Sequence, residues 1–357
     1  MLKGLKTALK WIAAIVIICV VAVFLASING LSVSRTVMTV GGNEITEAEY
    51  KYYFEMAKSE VAAEQGIATE DELKEFLKSG KVDGKSALDV IKERTEADIL
   101  RTEIAVLKAN EEGLSISDEQ RSSARAIISA SDADSKAQLK EIKKTTGADK
   151  YLIADIMEKA YLTDTYYSFV TSTKQEEFTP GESFVYDEMT NSYACVKHVL
   201  IKNTPDADEN GVVPEIEGYA EEAKKKAEEV LAKAVAGENF ENLIKEYGED
   251  PGMEATPNGY VIDSTGASVD GSGVMVSEFT KGTFAVMPGE VNAELVESSY
   301  GWHIIKRYDI STTNEYYATV EAAAKNKIIS NMFDAYLDTF KDSIEVVKNE
   351  KIIAKIK

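Results

Sequence analysis

Residues 195–203 read CVKHVLIKN and residues 300–308 read YGWHIIKRY. Both are rich in Val and Ile and carry the signature of a strand with one buried face. Each holds one of the only two histidines in 357 residues. A lone imidazole at the mouth of a strand is ordinarily structural, because neutral histidine can bridge two backbone groups. The recurrence of the same placement, His198 and His303, is what needs explaining.

The sequence between the two runs alternates helical and strand signals. YAEEAKKKAEEVLAKAVAG (219–237) is an amphipathic helix closed by Gly237, and NFENLIKEYG (239–248) is a second helix. GTFAVMPGEVNAELVES then supplies turn and strand. Residues 191–311 form a compact α/β module of about 120 residues, near the commonest domain size. Residues 176–190, with Pro180 and Gly181 as breakers, are expected to be a linker.

Helical patterns dominate on both sides of this module. VMTVGGNEITEAEY (37–50) reads as strand, Gly-Gly turn and helix start, with Thr46 and Glu49 as a capping box. Ser117 and Gln120 repeat that signal, and YLIADIMEKAYLTDTYYSFV (151–170) has apolar residues at three- and four-residue steps. Residues 36–175 thus form a helical domain. In residues 313–357 a broad apolar face (Ile328, Ile329, Met332, Phe333, Tyr336, Leu337, Phe340) precedes IEVVKNEKIIAKI, which reads as strand. One helix and one strand cannot make a domain, so they are expected to pack back on the N-terminal segment and to pair with its VMTV strand. The fold class is α+β, with the α/β module inserted into a helical domain.

The N-terminus has its own character. Residues 1–10 hold Lys3, Lys6 and Lys10 and no acid, and residues 11–28 are 18 residues without a charge, enough for a helix to cross a bilayer core. Basic residues before the span and an acidic bulk after it imply a cytoplasmic tip, a signal anchor and an exported remainder, with the lipid bilayer as a partner. A cleaved signal peptide and a lipidated Cys19 are the competing readings; the run is long for the first, and VIIC lacks the small residue expected before the second. The balance of 40 basic to 61 acidic residues, a net charge of −21, repels phosphate backbones, so nucleic acid is not an expected partner. Two cysteines make neither a disulfide framework nor a zinc site.

In order, KHVLI, AKKKAEEVLAKAVAGENFENLIKEYGEDPG and MVSEFTKGTFAVMPGEVNAELVESSYGWHIIK resemble the parvulin family of peptidyl-prolyl cis/trans isomerases over residues 193–309. With helical segments on both sides and an export signal ahead, the whole chain resembles the extracytoplasmic parvulin foldases of the PrsA and SurA type. That resemblance implies a helical chaperone domain, SurA-N or trigger-factor-like, and unfolded or newly exported polypeptides containing X-Pro bonds as partners. It places the protein at the cell membrane, single-pass and facing outward, in a Gram-positive host. It also implies that His198 and His303 are the family's paired histidines and that Asp250 stands at the position taken by cysteine or aspartate. Met275 and Phe279 match the apolar wall of the proline pocket, and Ser298 matches a hydroxyl residue beside it. The chain departs from the family where PNGYVID (257–263) replaces a Gly-Gly-Asp-Leu-Gly turn and STGASVDGSG comes after it; Tyr260 is the candidate substitute for the missing pocket leucine.

Rotating an X-Pro bond costs amide resonance, a barrier of about 18–20 kcal/mol, with no bond made or broken. An apolar slot to grip the ring and polar groups that favour the twisted amide suffice, and no nucleophile is needed. No cofactor is implied. HExxH, GxSxG, GxxxxGK[ST] and GxGxxG are all absent from the sequence. DADENGVVPEIE (206–217) matches a calcium loop through Asp206, Asp208, Asn210 and Glu217, yet no helix precedes it and Pro214 interrupts it, so an ordinary solvated turn is the competing reading. Two further functions stay open beside an active isomerase: a catalytically inactive parvulin-fold holdase, which the altered turn favours, and a surface adhesin.

Overall fold

The structure is a computed structural model and describes residues 35–207 and 211–357. Two compact units divide the chain: residues up to Lys174 together with Asp334–Lys357, and Gln175–Phe333.

The first unit opens with the hairpin β1 (Thr36–Val40) and β2 (Asn43–Thr46), turned at Gly41 and Gly42, both in the left-handed region. Next in the chain are helices α1 (Glu47–Glu64) and α2 (Glu70–Ser79), the two-residue pair β3 (Lys81–Val82) and β4 (Lys85–Ser86), α3 (Ala87–Glu111), α4 (Asp118–Ser129), α5 (Ala133–Thr146) and α6 (Lys150–Thr173). Thr46 caps α1 by accepting the Glu49 amide. The reciprocal half of the box expected there does not form, because the Glu49 carboxylate is buried against Lys159 instead. Ser117 and Gln120 do close a full capping box on α4.

The second unit begins with a correction. The stretch expected to be linker contains α7 (Glu182–Ser192), which buries Val185 and Met189, one turn apart, against Cys195, Val261, Val320 and Ala324. Two apolar residues at four-residue spacing suffice for a stripe, but polar neighbours hide it in sequence. Then come β5 (Tyr193–Lys202), α8 (Tyr219–Val235), α9 (Phe240–Tyr247), the short α10 (Pro251–Ala255), β6 (Tyr260–Asp263), α11 (Ser277–Phe284), β7 (Val296–Ser298) and β8 (Gly301–Tyr308). The strands form one antiparallel sheet in the order β6-β5-β8-β7. PNGYVID is therefore no free turn: it makes the edge strand β6. Strand periodicity sorts the residues by face. Val199, Ile201 and Ile304 pack on α8 and α9, and Val196, Ile305 and Phe279 form the core of the opposite face.

Helix α12 (Tyr317–Asp338) leads back to the first unit, where β9 (Val346–Lys348) pairs with β1, giving the order β2-β1-β9. The strand character expected through IEVVKNEKIIAKI stops at Lys348; α13 (Glu350–Ile353) comes next, and Ile353 and Ile356 enter the core of the hairpin and α1.

Between α1, α3 and α6 this unit buries an ionic cluster. Lys159 Nζ donates to Glu49 Oε1 (2.7 Å) and Glu103 Oε1 (2.5 Å), and Asn43 Nδ2 donates to Glu103 Oε2 (2.7 Å). Burial disfavours charge on Lys159, but the two carboxylates outweigh it and hold the ammonium charged. Lys159→Ala would leave two buried carboxylates facing each other, so the unit should lose roughly 3–5 kcal/mol. Chemical denaturation of the variant measures this; a change within about 0.5 kcal/mol, the surface-substitution range, would show the cluster to be structurally idle.

Candidate functional site

Both histidines lie on the α11 face of the β5–β8 pair. The register sets His198 opposite Ile305 and Leu200 opposite His303, so the imidazoles are diagonal neighbours on one face. Their Nδ1 atoms are 3.0 Å apart and each residue is 4% exposed. His198 Nε2 lies 2.7 Å from Asp250 Oδ2, and His303 Nε2 lies 2.6 Å from Ser298 Oγ. Ser298 ends β7 and reaches back across a turn whose Gly301 has φ +136°, where an added Cβ would sit 2.2 Å from the Ile201 carbonyl oxygen. Only glycine fits there.

Asp250 caps α10, with Pro251 in the first turn; its Oδ1 accepts the Gly252 amide at 2.9 Å. Tyr260, first residue of β6, donates its hydroxyl to Asp250 Oδ2 at 2.8 Å. The residue expected to replace a leucine thus contributes a polar contact as well as its ring, which lies 6.0 Å from the His198 ring. Gly252 makes room for it: a Cβ there would come within 1.8 Å of the Tyr260 hydroxyl.

Phe279, on α11, stands edge-on to His198 and His303 at ring distances of 4.9 and 5.3 Å. Met275 sits ahead of α11, outside the helix. Its amide donates to the Gly266 carbonyl at 2.8 Å, so the Ser/Gly-rich insertion fixes where Met275 stands. These residues, with Leu200, Val274, Val276 and Tyr300, line a cavity of about 220 Å³. It is smaller than the roughly 300–1,000 Å³ of drug-sized ligand sites.

Every sequence candidate of the pocket therefore lies within one connected constellation. The sequence reading missed Leu200, Val274, Val276, Tyr300 and Gly252. Leu200 was available from the period-two rule, two residues from His198, and Gly252 from the Asp-Pro-Gly cap; Val274 and Tyr300 carry no such signal. Cys195 is excluded by the same parity, since it faces away from the pocket, and burial pushes its thiol up. Of the calcium loop, Asp208 and Asn210 lie outside the described residues, Glu217 is exposed, and Asp206 pairs with Lys202 at 2.5 Å. Among the described residues no cluster of His, Cys, Asp or Glu is built to hold a metal.

Charges fix the direction of the hydrogen bonds. Burial alone would raise the Asp250 carboxyl, but His198, the Gly252 amide and Tyr260 hold it down to about 2. Burial, and after it the neighbouring His198, pushes His303 down to about 3 against the pull of Asp250. Asp250 is an ionised acceptor, so His198 donates from Nε2. A neutral His198 then accepts at Nδ1, His303 donates from Nδ1 and accepts at Nε2, and Ser298 donates its hydroxyl while accepting the Tyr300 amide at 3.1 Å. An imidazolium at His198 reverses the two bonds at His303. In the neutral state every bond of the row has its own proton.

Residues 184–310 match the PPIC-type PPIASE domain family, and residues 1–132 match the SurA-like N-terminal domain family. The chain is 25% identical over 324 residues to the foldase protein PrsA of Caldanaerobacter subterraneus subsp. tengcongensis, covering 88% of this chain and 86% of that one. It is 40% identical over 88 residues to the foldase protein PrsA of Geobacillus kaustophilus, 24% of this chain and 28% of that one. Among solved structures, the peptidylprolyl isomerase PrsA of Bacillus cereus aligns over 87% of this chain and 91% of its own, at 18% identity and a TM-score of 0.26.

Two outcomes test the site's electrostatics. The unfolded chain binds a proton at the His303 imidazole near the ordinary 6.5, whereas the folded site stays neutral to about 3. Stability should therefore fall as pH drops from 6.5, by on the order of 2 kcal/mol at about pH 5, and a His303→Gln variant should show a shallower slope in denaturant midpoints; equal slopes would contradict the buried neutral imidazole. Tyr260→Phe removes one donor from Asp250 and should raise its carboxyl pKa by on the order of one unit in a carbon-13 NMR titration. An unmoved titration would show that the hydroxyl does not hold the carboxylate.

Proposed function

We infer that this chain, a member of the PPIC-type parvulin family through residues 184–310 and carrying a SurA-like N-terminal domain ahead of it, is a peptidyl-prolyl cis/trans isomerase that also acts as a chaperone. The observation that carries this reading is the juxtaposition of the His198–His303 network with the apolar wall of Met275 and Phe279 in a cavity sized for a small ring.

The chemistry is a consequence of that arrangement. Met275, Phe279, Leu200 and the ring of Tyr260 hold a prolyl ring out of water. The ring side of the amide is thereby fixed while the preceding residue turns. Rotation removes resonance, so the nitrogen pyramidalises and the carbonyl becomes more ketone-like. Ser298, His303, His198 and Asp250 form a floor whose dipoles are already oriented, and such fixed polarity stabilises the twisted amide without reorganising at each turnover. A rate gain of two to four orders of magnitude needs only roughly 3–5.5 kcal/mol, within reach of a few contacts of this kind. His198, Asp250, His303 and Ser298 are assigned to the polar floor, and Met275, Phe279 and Tyr260 to substrate contact.

The substrates are unfolded exported polypeptides. The charge-free run of residues 11–28 behind three lysines supports an uncleaved anchor with the bulk outside the membrane, consistent with the extracytoplasmic foldase resemblance. That run lies outside the described residues; no helix among those described is long and apolar enough to cross a membrane.

A proline-isomerisation assay on the full chain in detergent tests the enzyme reading. The chain should accelerate cis/trans exchange over the spontaneous tens to hundreds of seconds. Met275→Ala, which touches the ring, should lower kcat/KM roughly tenfold, and Asp250→Ala should lower kcat by about the same factor. Phe279→Ala is a poor probe, because truncating a side chain 2% exposed costs about 3–5 kcal/mol of stability. A folded chain no faster than background would replace the enzyme with the holdase.

A further inference from the structure

Residues 346–357, VVKNEKIIAKIK, hold four lysines and one acid in a chain where acids outnumber bases 61 to 40. The fold gives this reversal of sign a definite address. Strand β9 pairs Lys348 with Met38, and the Asn349 amide donates to the Val37 carbonyl at 2.8 Å, so the chain leaves β9 beside the first residues of β1. Ile353 and Ile356 are each 4% exposed and pin residues 350–357 to the core, while Lys351, Lys355 and Lys357 stay in solvent. Lys348 is paired with Glu96, and Arg35 with Glu47. The other three lysines have no ion-pair partner among the described residues.

This uncompensated face stands where residues 1–34 join the fold. If residues 11–28 cross a bilayer, only eight steps separate Ile28 from Thr36, a reach of at most about 29 Å. The start of β1, and the lysines beside it, are then confined close to the headgroups. A body of net charge −21 is repelled by an anionic leaflet as a whole, and screening over about 8 Å leaves the nearest charges to decide which face approaches. We propose that Lys351, Lys355 and Lys357 dock the first unit on anionic phospholipid headgroups of the leaflet from which the anchor emerges. This rests on the anchor reading.

The full chain reconstituted in vesicles of phosphatidylcholine, or of phosphatidylcholine mixed equally with phosphatidylglycerol, tests it by amide hydrogen exchange. Residues 350–357 should exchange about tenfold more slowly on the anionic vesicles. High salt and the variant K351Q/K355Q/K357Q should each abolish that difference. A chain that floats with both vesicles but exchanges equally on them overturns the docking and leaves the anchor standing. A chain that floats with neither overturns the anchor, and the docking with it. Protection by soluble polyphosphate but not by anionic vesicles would move the partner from lipid to a free anionic polymer and overturn the proposal. Denaturant midpoints of the triple variant equal to the parent's establish that its loss of protection is not a loss of fold.

Discussion

The contact between His198 Nδ1 and His303 Nδ1 joins two like atoms, and it holds only if one carries the proton and the other does not. That constraint runs outward in both directions. At the His198 end it requires a partner whose role is fixed, which the ionised Asp250 supplies as an acceptor. At the His303 end it requires a partner able to play either role, which the Ser298 hydroxyl supplies. A carboxylate at both ends would leave one proton too few for the row. The antiparallel register, the diagonal placement of the rings and the close approach at Gly301 serve this row of bonds, because a shift of one residue in β8 would carry His303 to the other face.

The Lys159 cluster of the first unit and the histidine row of the second bury polar groups by opposite means. The first encloses formal charges, setting one ammonium between Glu49 and Glu103, an arrangement that becomes costly if any member is lost. The row in the second keeps His303, 4% exposed, neutral and sets its formal charge on Asp250 at the cavity edge. A neutral row polarises along its length while each bond remains reversible. The first arrangement suits a structural node and the second a site where a substrate amide must change its polarity.

Much of this was legible in the sequence because it rests on short-range rules. Strand periodicity placed both histidines, and the capping pattern found α4. The errors share a physical origin in long-range partners. Glu49 satisfies the local spacing of a capping box, yet Lys159, 110 residues away, claims its carboxylate. Helix α7 was hidden because its two apolar residues gain meaning only from Val320 and Ala324, far along the chain. The end of β9 was misjudged because Asn349 bonds to Val37 and releases the chain into a helical turn. In the pocket, residue types and order picked out side chains that the fold brings together, but the hydroxyl contact of Tyr260 requires knowing that β6 lies beside Asp250.

That contact bears on the departure of PNGYVID from the parvulin turn. Loss of the pocket leucine would weaken the grip on a prolyl ring if the turn had simply been abandoned. The chain instead pairs the altered segment with β5 from Tyr193 to Val196, which fixes Tyr260 as a strand residue. Its ring keeps apolar area in the pocket and its hydroxyl adds a third donor to Asp250, beside His198 and the Gly252 amide. The exchange is possible only because position 252 has no Cβ, since any larger residue would occupy the space of the hydroxyl. Tyr260 and Gly252 thus form a matched pair that meets beside Asp250, and a segment eroding after loss of activity would have no reason to preserve their fit. The altered turn is better read as a different way of holding the same carboxylate than as the remnant of a site falling into disuse.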